Sequence, residues 1–219
     1  MPSTKGAQKV KITRIRSNSV KEPTTLENIE IPENLKYIEG ELFVLRETDF
    51  TNEKNIILGT RSSLKLLEES SCWLMDGTFH VVPSIMTQLF SIHGYIEGTV
   101  VPLVFCIMSR KTKEAYLQFF WDLFNIACEW EIQLNPKIIV SDFEKGIFGA
   151  AKEFFPYCNF KGCLFHFGQI IWRTIQKLKL STKYGVSEEF GIKMRMLKSL
   201  AFVPSDRTLE YFNALYVVC

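Results

Sequence analysis

No apolar run in the chain approaches the ~20 residues needed to cross a bilayer, and the residues after Met1 lack the apolar stretch of a secretory leader. Membrane spanning and secretion are therefore not expected, and no membrane partner is. Internal repeats and low-complexity tracts are also missing, which excludes repeat architectures. An excess of one charge is missing too. Lysines and arginines number 26 against 24 acids, so the net charge of +2 does not by itself mark a polyanion partner. Without a leader, the six cysteines, mostly set inside apolar runs, read as reduced intracellular thiols and not as a disulfide framework.

What the chain does have is core material. Apolar residues make up 47% of its 219 residues and include 18 phenylalanines, enough for one globular domain. Its charge is unevenly placed. Lys5, Lys9, Lys11, Arg14, Arg16 and Lys21 all precede the first acid, Glu22. This arm, within a tail spanning 1–28, has few large apolar residues and is expected to lack fixed structure. It suits phosphate contact or a weak nuclear import signal, and equally well a solvated tail.

Strand-like runs at 42–45 and 56–58, separated by a polar loop, precede a helix over 61–69 with Thr60 or Ser62 as N-cap. This lead-in, 29–70, is expected to pack on the core formed by the later strands. A strand at 72–75 then ends at Asp76-Gly77, followed by strands at 88–93 and 99–108 joined by turn residues. Tyr116, Phe119, Phe120, Leu123, Ala127 and Trp130 recur at helical spacing and predict a helix over 113–130. Asn135-Pro136 breaks it before a strand at 137–140, a helix at 143–155, a strand at 159–165 and a helix at 167–180. Further helix is expected at 188–200 and 205–217. The order β-β-β-α-β-α-β-α predicts an α/β fold with a mixed sheet, and right-handed crossovers place its five strands in the order 3-2-1-4-5. That is the ribonuclease H-like order, with a core over 71–182 and a helical extension over 183–219.

Asp76 and Asp142 close the first and fourth of those strands. As parallel neighbours ~4.8 Å apart, the strands would bring both carboxylates to one rim. Oxygen ligands of this kind suit Mg²⁺ or Mn²⁺ and phosphodiester chemistry. Each acid alone also has a plain reading, Asp76-Gly77 as a hairpin turn and Asp142 as a helix N-cap. Glu144 reads as a first-turn helix acid. The second constellation is Cys163-Leu164-Phe165-His166, at the same edge. Cys163 and His166 are half of a zinc site, Cys158 is a third candidate, and His80 or Cys72 are remote fourths. A buried cysteine with a histidine orienting groups near the acids is the simpler reading. Lys161, Arg173, Lys177, Lys179 and Lys183, with Trp172 and Tyr184 among them, form either a solvated face or one that meets a nucleic-acid backbone.

CWLMDGTFHVVP, QLFSIHGYIEGTVVPLVFCIMSRKTKEAY, IIVSDFEKGIFGAAKEFFP and CNFKGCLFHFGQIIWRTIQKLKL together resemble the Mutator-like element (MULE) transposase domain. The lead-in NIILGTRSSLKLLEES is similar as well, so the resemblance covers roughly 30–205. It implies a DDE-type enzyme that cuts and joins DNA with a divalent metal. Asp76 would be its first acid, Asp142 its second, and Cys163 and His166 its cysteine–histidine motif. DNA is the implied partner, a homo-oligomer is compatible with it, and the nucleus is the implied compartment. The family's third acid, a glutamate in a block resembling N-N-x-x-E-G-W-H, lies beyond a helical insertion. The chain reaches Cys219 without such a block, so the expectation is a truncated catalytic core. Glu188, Glu189, Asp206 and Glu210 are the late acids available to a stand-alone nuclease. A non-catalytic, transposase-derived binding domain is the other alternative.

Overall fold

Period-two alternation of apolar side chains builds a seven-stranded mixed sheet at the centre of the molecule. The computed structural model describes residues 23–79 and 81–218. The basic arm up to Lys21, and His80, lie outside the described residues. A small hairpin, β1 (Tyr37–Ile38) and β2 (Glu41–Leu42), precedes the sheet. The sheet comprises β3 (Val44–Phe50), β4 (Glu53–Leu58), β5 (Cys72–Thr78), β6 (Gln88–Ile96), β7 (Thr99–Met108), β8 (Ile138–Ser141) and β9 (Asn159–Gly162). Their spatial order is β3-β4-β7-β6-β5-β8-β9. β8 is parallel to both β5 and β9, and every other pair is antiparallel.

The sheet therefore has seven strands where five were expected. The stretch Arg46-Glu47-Thr48-Asp49, read as part of a polar loop, is strand. It lies at a sheet edge, where polar side chains alternate with partly buried ones, and Thr51 and Asn52 turn the hairpin with φ of 43° and 62°. β4 continues into the core, with Ile56 and Ile57 buried.

One face of the sheet carries Ile57, Trp73, Met75, Phe90, Ile92, Val104, Cys106 and Ile139, all buried. Against it pack α2 (Lys113–Glu129) and α3 (Lys145–Phe154), which follow α1 (Arg61–Glu69). The α2 stripe Tyr116, Phe119, Phe120, Leu123, Ile126 and Ala127 is buried at helical spacing. Phe90 meets Tyr116 and Phe119 edge-on at 5.2 and 5.4 Å. Each such phenyl contributes about 1.5–3 kcal/mol by burial. Thr60 caps α1 in a reciprocal capping box with Ser63, and Thr112 caps α2 through the Ala115 N–H.

The opposite face is only partly covered, and it carries Leu74, Asp76 and Val140. Beyond β9 come α4 (Leu164–Lys177), α5 (Ser181–Val186), α6 (Glu188–Ser199) and α7 (Thr208–Val218). Phe165 was expected to end a strand and Phe167 to open a helix. Instead the ladder stops at Gly162, the Cys163 N–H donates to the Ser141 carbonyl, and helix begins at Leu164. The apolar run misled because Phe165 is 64% exposed and fills no strand position.

Candidate functional site

β5 and β8 are paired through Leu74 and Val140. Asp76 and Asp142 each lie two residues beyond that pair, Asp76 within β5 and Asp142 just past the end of β8, and the two are near enough for their charges to interact. Asp76 does not occupy a hairpin turn. β5 runs on to Thr78, with Asp76 opposite Ser91 and Gly77 opposite Phe90. Asp142 is not the helix cap either; Glu144 precedes α3, and Asp142 Oδ1 accepts the Glu144 N–H at 3.1 Å in an Asx-type turn.

The early start of α4 turns His166 toward the acids. Its Nε2 lies 3.7 Å from Asp76 Oδ1, while its buried Nδ1 has no hydrogen-bond partner. The Asp76 side chain is 51% exposed, and Oδ1 also accepts the N–H of Gly77 at 2.9 Å. Asp142 is more enclosed. Burial raises its pKa above the usual carboxylate range, and the negative charges of Glu144 and Asp76 push the same way. The Glu144 N–H and the proximity of His166 act in the opposite direction.

A buried polar chain, not evident from the sequence, supports the two acids from beneath. Gln88, 1% exposed, donates from Nε2 to the Tyr116 hydroxyl at 2.7 Å. Tyr116 donates in turn to Glu144 Oε1 at 3.0 Å, and Lys111 Nζ holds Glu144 Oε2 at 2.9 Å. Burial drives the Tyr116 hydroxyl far above its ordinary pKa, so it stays a donor. Gly77 makes the close approach possible, because a Cβ there would stand 2.5 Å from Gln88 Oε1. The chain thus runs from Gln88 at the start of β6, which lies close against Gly77, to the turn that holds Asp142. Its only sequence signals were a glutamine opening a strand and a tyrosine within an apolar stripe.

The remaining candidates separate. Cys163 immediately precedes α4, one helical turn from His166, and is a partly buried free thiol. Cys158 precedes the other end of β9, about 16 Å of strand away, and its neighbour is Cys72. The structure therefore does not bring Cys158 or Cys72 to Cys163 and His166, and His80 lies outside the described residues. His93 is in β6 opposite Leu74. Among the late acids, Glu189 is bound by Lys193 at 2.8 Å and Glu210 by Arg207 at 3.0 Å. Among the described residues, no group of three or more His, Cys, Asp or Glu is arranged to hold a metal ion. Asp76 and Asp142 offer only oxygen donors, the type that hard divalent cations take.

Comparison with protein families matches residues 72–169 to the MULE transposase domain, a span that contains Asp76, Asp142, Cys163 and His166. Comparison with curated proteins finds no match.

Proposed function

We propose that the chain, whose residues 72–169 match the MULE transposase domain, carries a DDE-type, ribonuclease H-like catalytic core acting on DNA phosphodiesters. The observation that carries this reading is the alignment of Asp76 and Asp142, each two residues beyond a paired position on adjacent parallel strands. Asp76 and Asp142 would hold Mg²⁺ or Mn²⁺, which would supply Lewis-acid activation of the attacking and leaving oxygens. Asp142, already strained by enclosure and by neighbouring charge, gains most from a cation. His166 orients Asp76 from the α4 side. The Gln88–Tyr116–Glu144 chain links the start of β6 to the turn that holds Asp142. With DNA as substrate, the nucleus is the working compartment.

A second reading, a non-catalytic transposase-derived DNA- or protein-binding domain, is favoured by one feature. Glu144, the carboxylate next to the pair in sequence, is already engaged by Tyr116 and Lys111. Mn²⁺ titration followed by nicking of a supercoiled plasmid separates the two. The catalytic reading expects one Mn²⁺-dependent nicking activity, lost in both Asp76→Asn and Asp142→Asn. Mn²⁺ binding equal in wild type and both variants would sink it, and binding without nicking would favour the second reading.

A further inference from the structure

We propose that Lys161, Arg173 and Lys177 form a phosphate-contacting stripe that holds duplex DNA on the α4 side of the acid pair. Residues 161–199 contain eight lysines and arginines against two acids, although the chain as a whole stands at only +2. Positive charge is thus gathered in the segment that starts at the site. Lys161 pairs with Val140, which pairs with Leu74, so all three share the sheet face of Asp76. Lys161 is exposed on the edge strand, one row behind the carboxylates.

Along α4, His166, Arg173 and Lys177 are seven and four residues apart and therefore lie on one stripe. His166 on that stripe faces Asp76. The reverse side of the helix is occupied. Gly168, Ile171, Trp172 and Ile175 border Met194 of α6, and Trp172 stacks edge-on with Tyr184 at 5.3 Å. Packing thus leaves the basic stripe to solvent, and Arg173 and Lys177 are both exposed.

At ~1.5 Å per residue, Arg173 and Lys177 stand about 10 and 16 Å along the helix from His166. A duplex advances ~3.4 Å per base pair, so they would meet phosphates roughly three to five base pairs from the acids. This spacing suits an extended polyanion running outward from the site. Compact anions would engage a single cation.

The inference rests on reading the acid pair as DNA-processing, but its test needs neither metal nor cleavage. Anisotropy with a random 20-base-pair duplex in EDTA, from 50 to 200 mM KCl, gives the slope of log affinity against log salt. Each lost phosphate contact reduces that slope by about 0.9, so the full chain with Lys161→Gln, Arg173→Gln and Lys177→Gln loses a slope of about 2–3 and binds at least ~10-fold more weakly. Lys65→Gln, Lys137→Gln and Lys152→Gln, an equal charge change elsewhere, keeps the wild-type slope. So does the charge-preserving Lys161→Arg, Arg173→Lys, Lys177→Arg chain, which controls for folding. Equal losses in the two neutralised chains, or none in the stripe variant, would overturn the proposal. Tighter binding to poly-glutamate than to duplex would overturn it as well, assigning the stripe to an acidic protein. Failure of nicking with the slope result intact would remove the catalytic reading and leave this surface standing.

Discussion

Asp142 is a carboxylate held where its charge is unwelcome. Burial and the neighbouring negative charges raise its pKa in the folded state, so ionised Asp142 opposes folding. A raised folded pKa means its favourable contribution is complete only below the unfolded carboxylate range and is lost as pH rises through the folded value. Asp142→Asn keeps an oxygen for the Glu144 N–H. It should stabilise the metal-free chain at pH 7 by about 0.5 kcal/mol once solvent screening of a half-buried group is allowed for. Urea melts should show the gain shrinking toward pH 3–4, and a variant less stable than wild type at pH 7 would contradict this account. Gly77 illustrates the opposite constraint. Gly77→Ala drives a methyl into Gln88 Oε1, and Gln88 cannot swing away without leaving the Tyr116 hydroxyl. A loss of about 1–3 kcal/mol is expected. Pairing the change with Gln88→Ala should relieve the clash component, which a double-mutant cycle would detect.

Among the elements, the lead-in strands are bound into the domain more tightly than their polar sequence suggests. Thr48 in β3 donates to Asp122 of α2 at 2.8 Å, Arg46 meets Glu129 at 2.8 Å, and Asn55 in β4 donates to the Ala115 carbonyl at 2.9 Å. Asp122 is itself buried, and Thr48 of β3 supplies one of its hydrogen bonds. Ile57, fully buried between β7 and the helical layer, should cost about 2–5 kcal/mol as Ile57→Ala, as large as a mutation in the central strands. A loss below about 1 kcal/mol in denaturant melts would mean that β4 is a detachable edge. Element type was largely legible where periodicity was strong, as in α2, β6 and β7. β3 was read only at its start, Val44-Leu45, because half-exposed edge strands carry the same residues as loops. The start of α4 was displaced because Leu164 and Phe165 read as strand yet remain on the surface.

For the molecule as a whole, the sequence revealed the two acids but not what surrounds them. That Asp76 and Asp142 lie at the same end of paired strands was legible because each follows an apolar run. The Gln88–Tyr116–Glu144 chain was not, because it joins residues 28 positions apart twice over, and no local pattern marks such contacts. The division of Cys158 from Cys163 was equally hidden, since spacing along a chain does not say that a strand lies between them. The convergence of strand ends also makes a global prediction. A cation bound by Asp76 and Asp142 would bridge β5 and β8, and an ion that binds only the folded chain stabilises it by about 2.7 kcal/mol at a hundredfold excess over Kd. For a chain of this size each kcal/mol raises Tm by roughly 2–4 °C, so saturating Mn²⁺ should raise it by about 5–10 °C. Protons compete for the same oxygens, and the raised pKa of Asp142 means the gain should fade at a higher pH than an ordinary carboxylate would dictate. In Asp142→Asn the shift should vanish, although that chain starts out more stable. An equal Mn²⁺ shift in wild type and Asp142→Asn would place the bound ion elsewhere and separate the two acids from any shared metal.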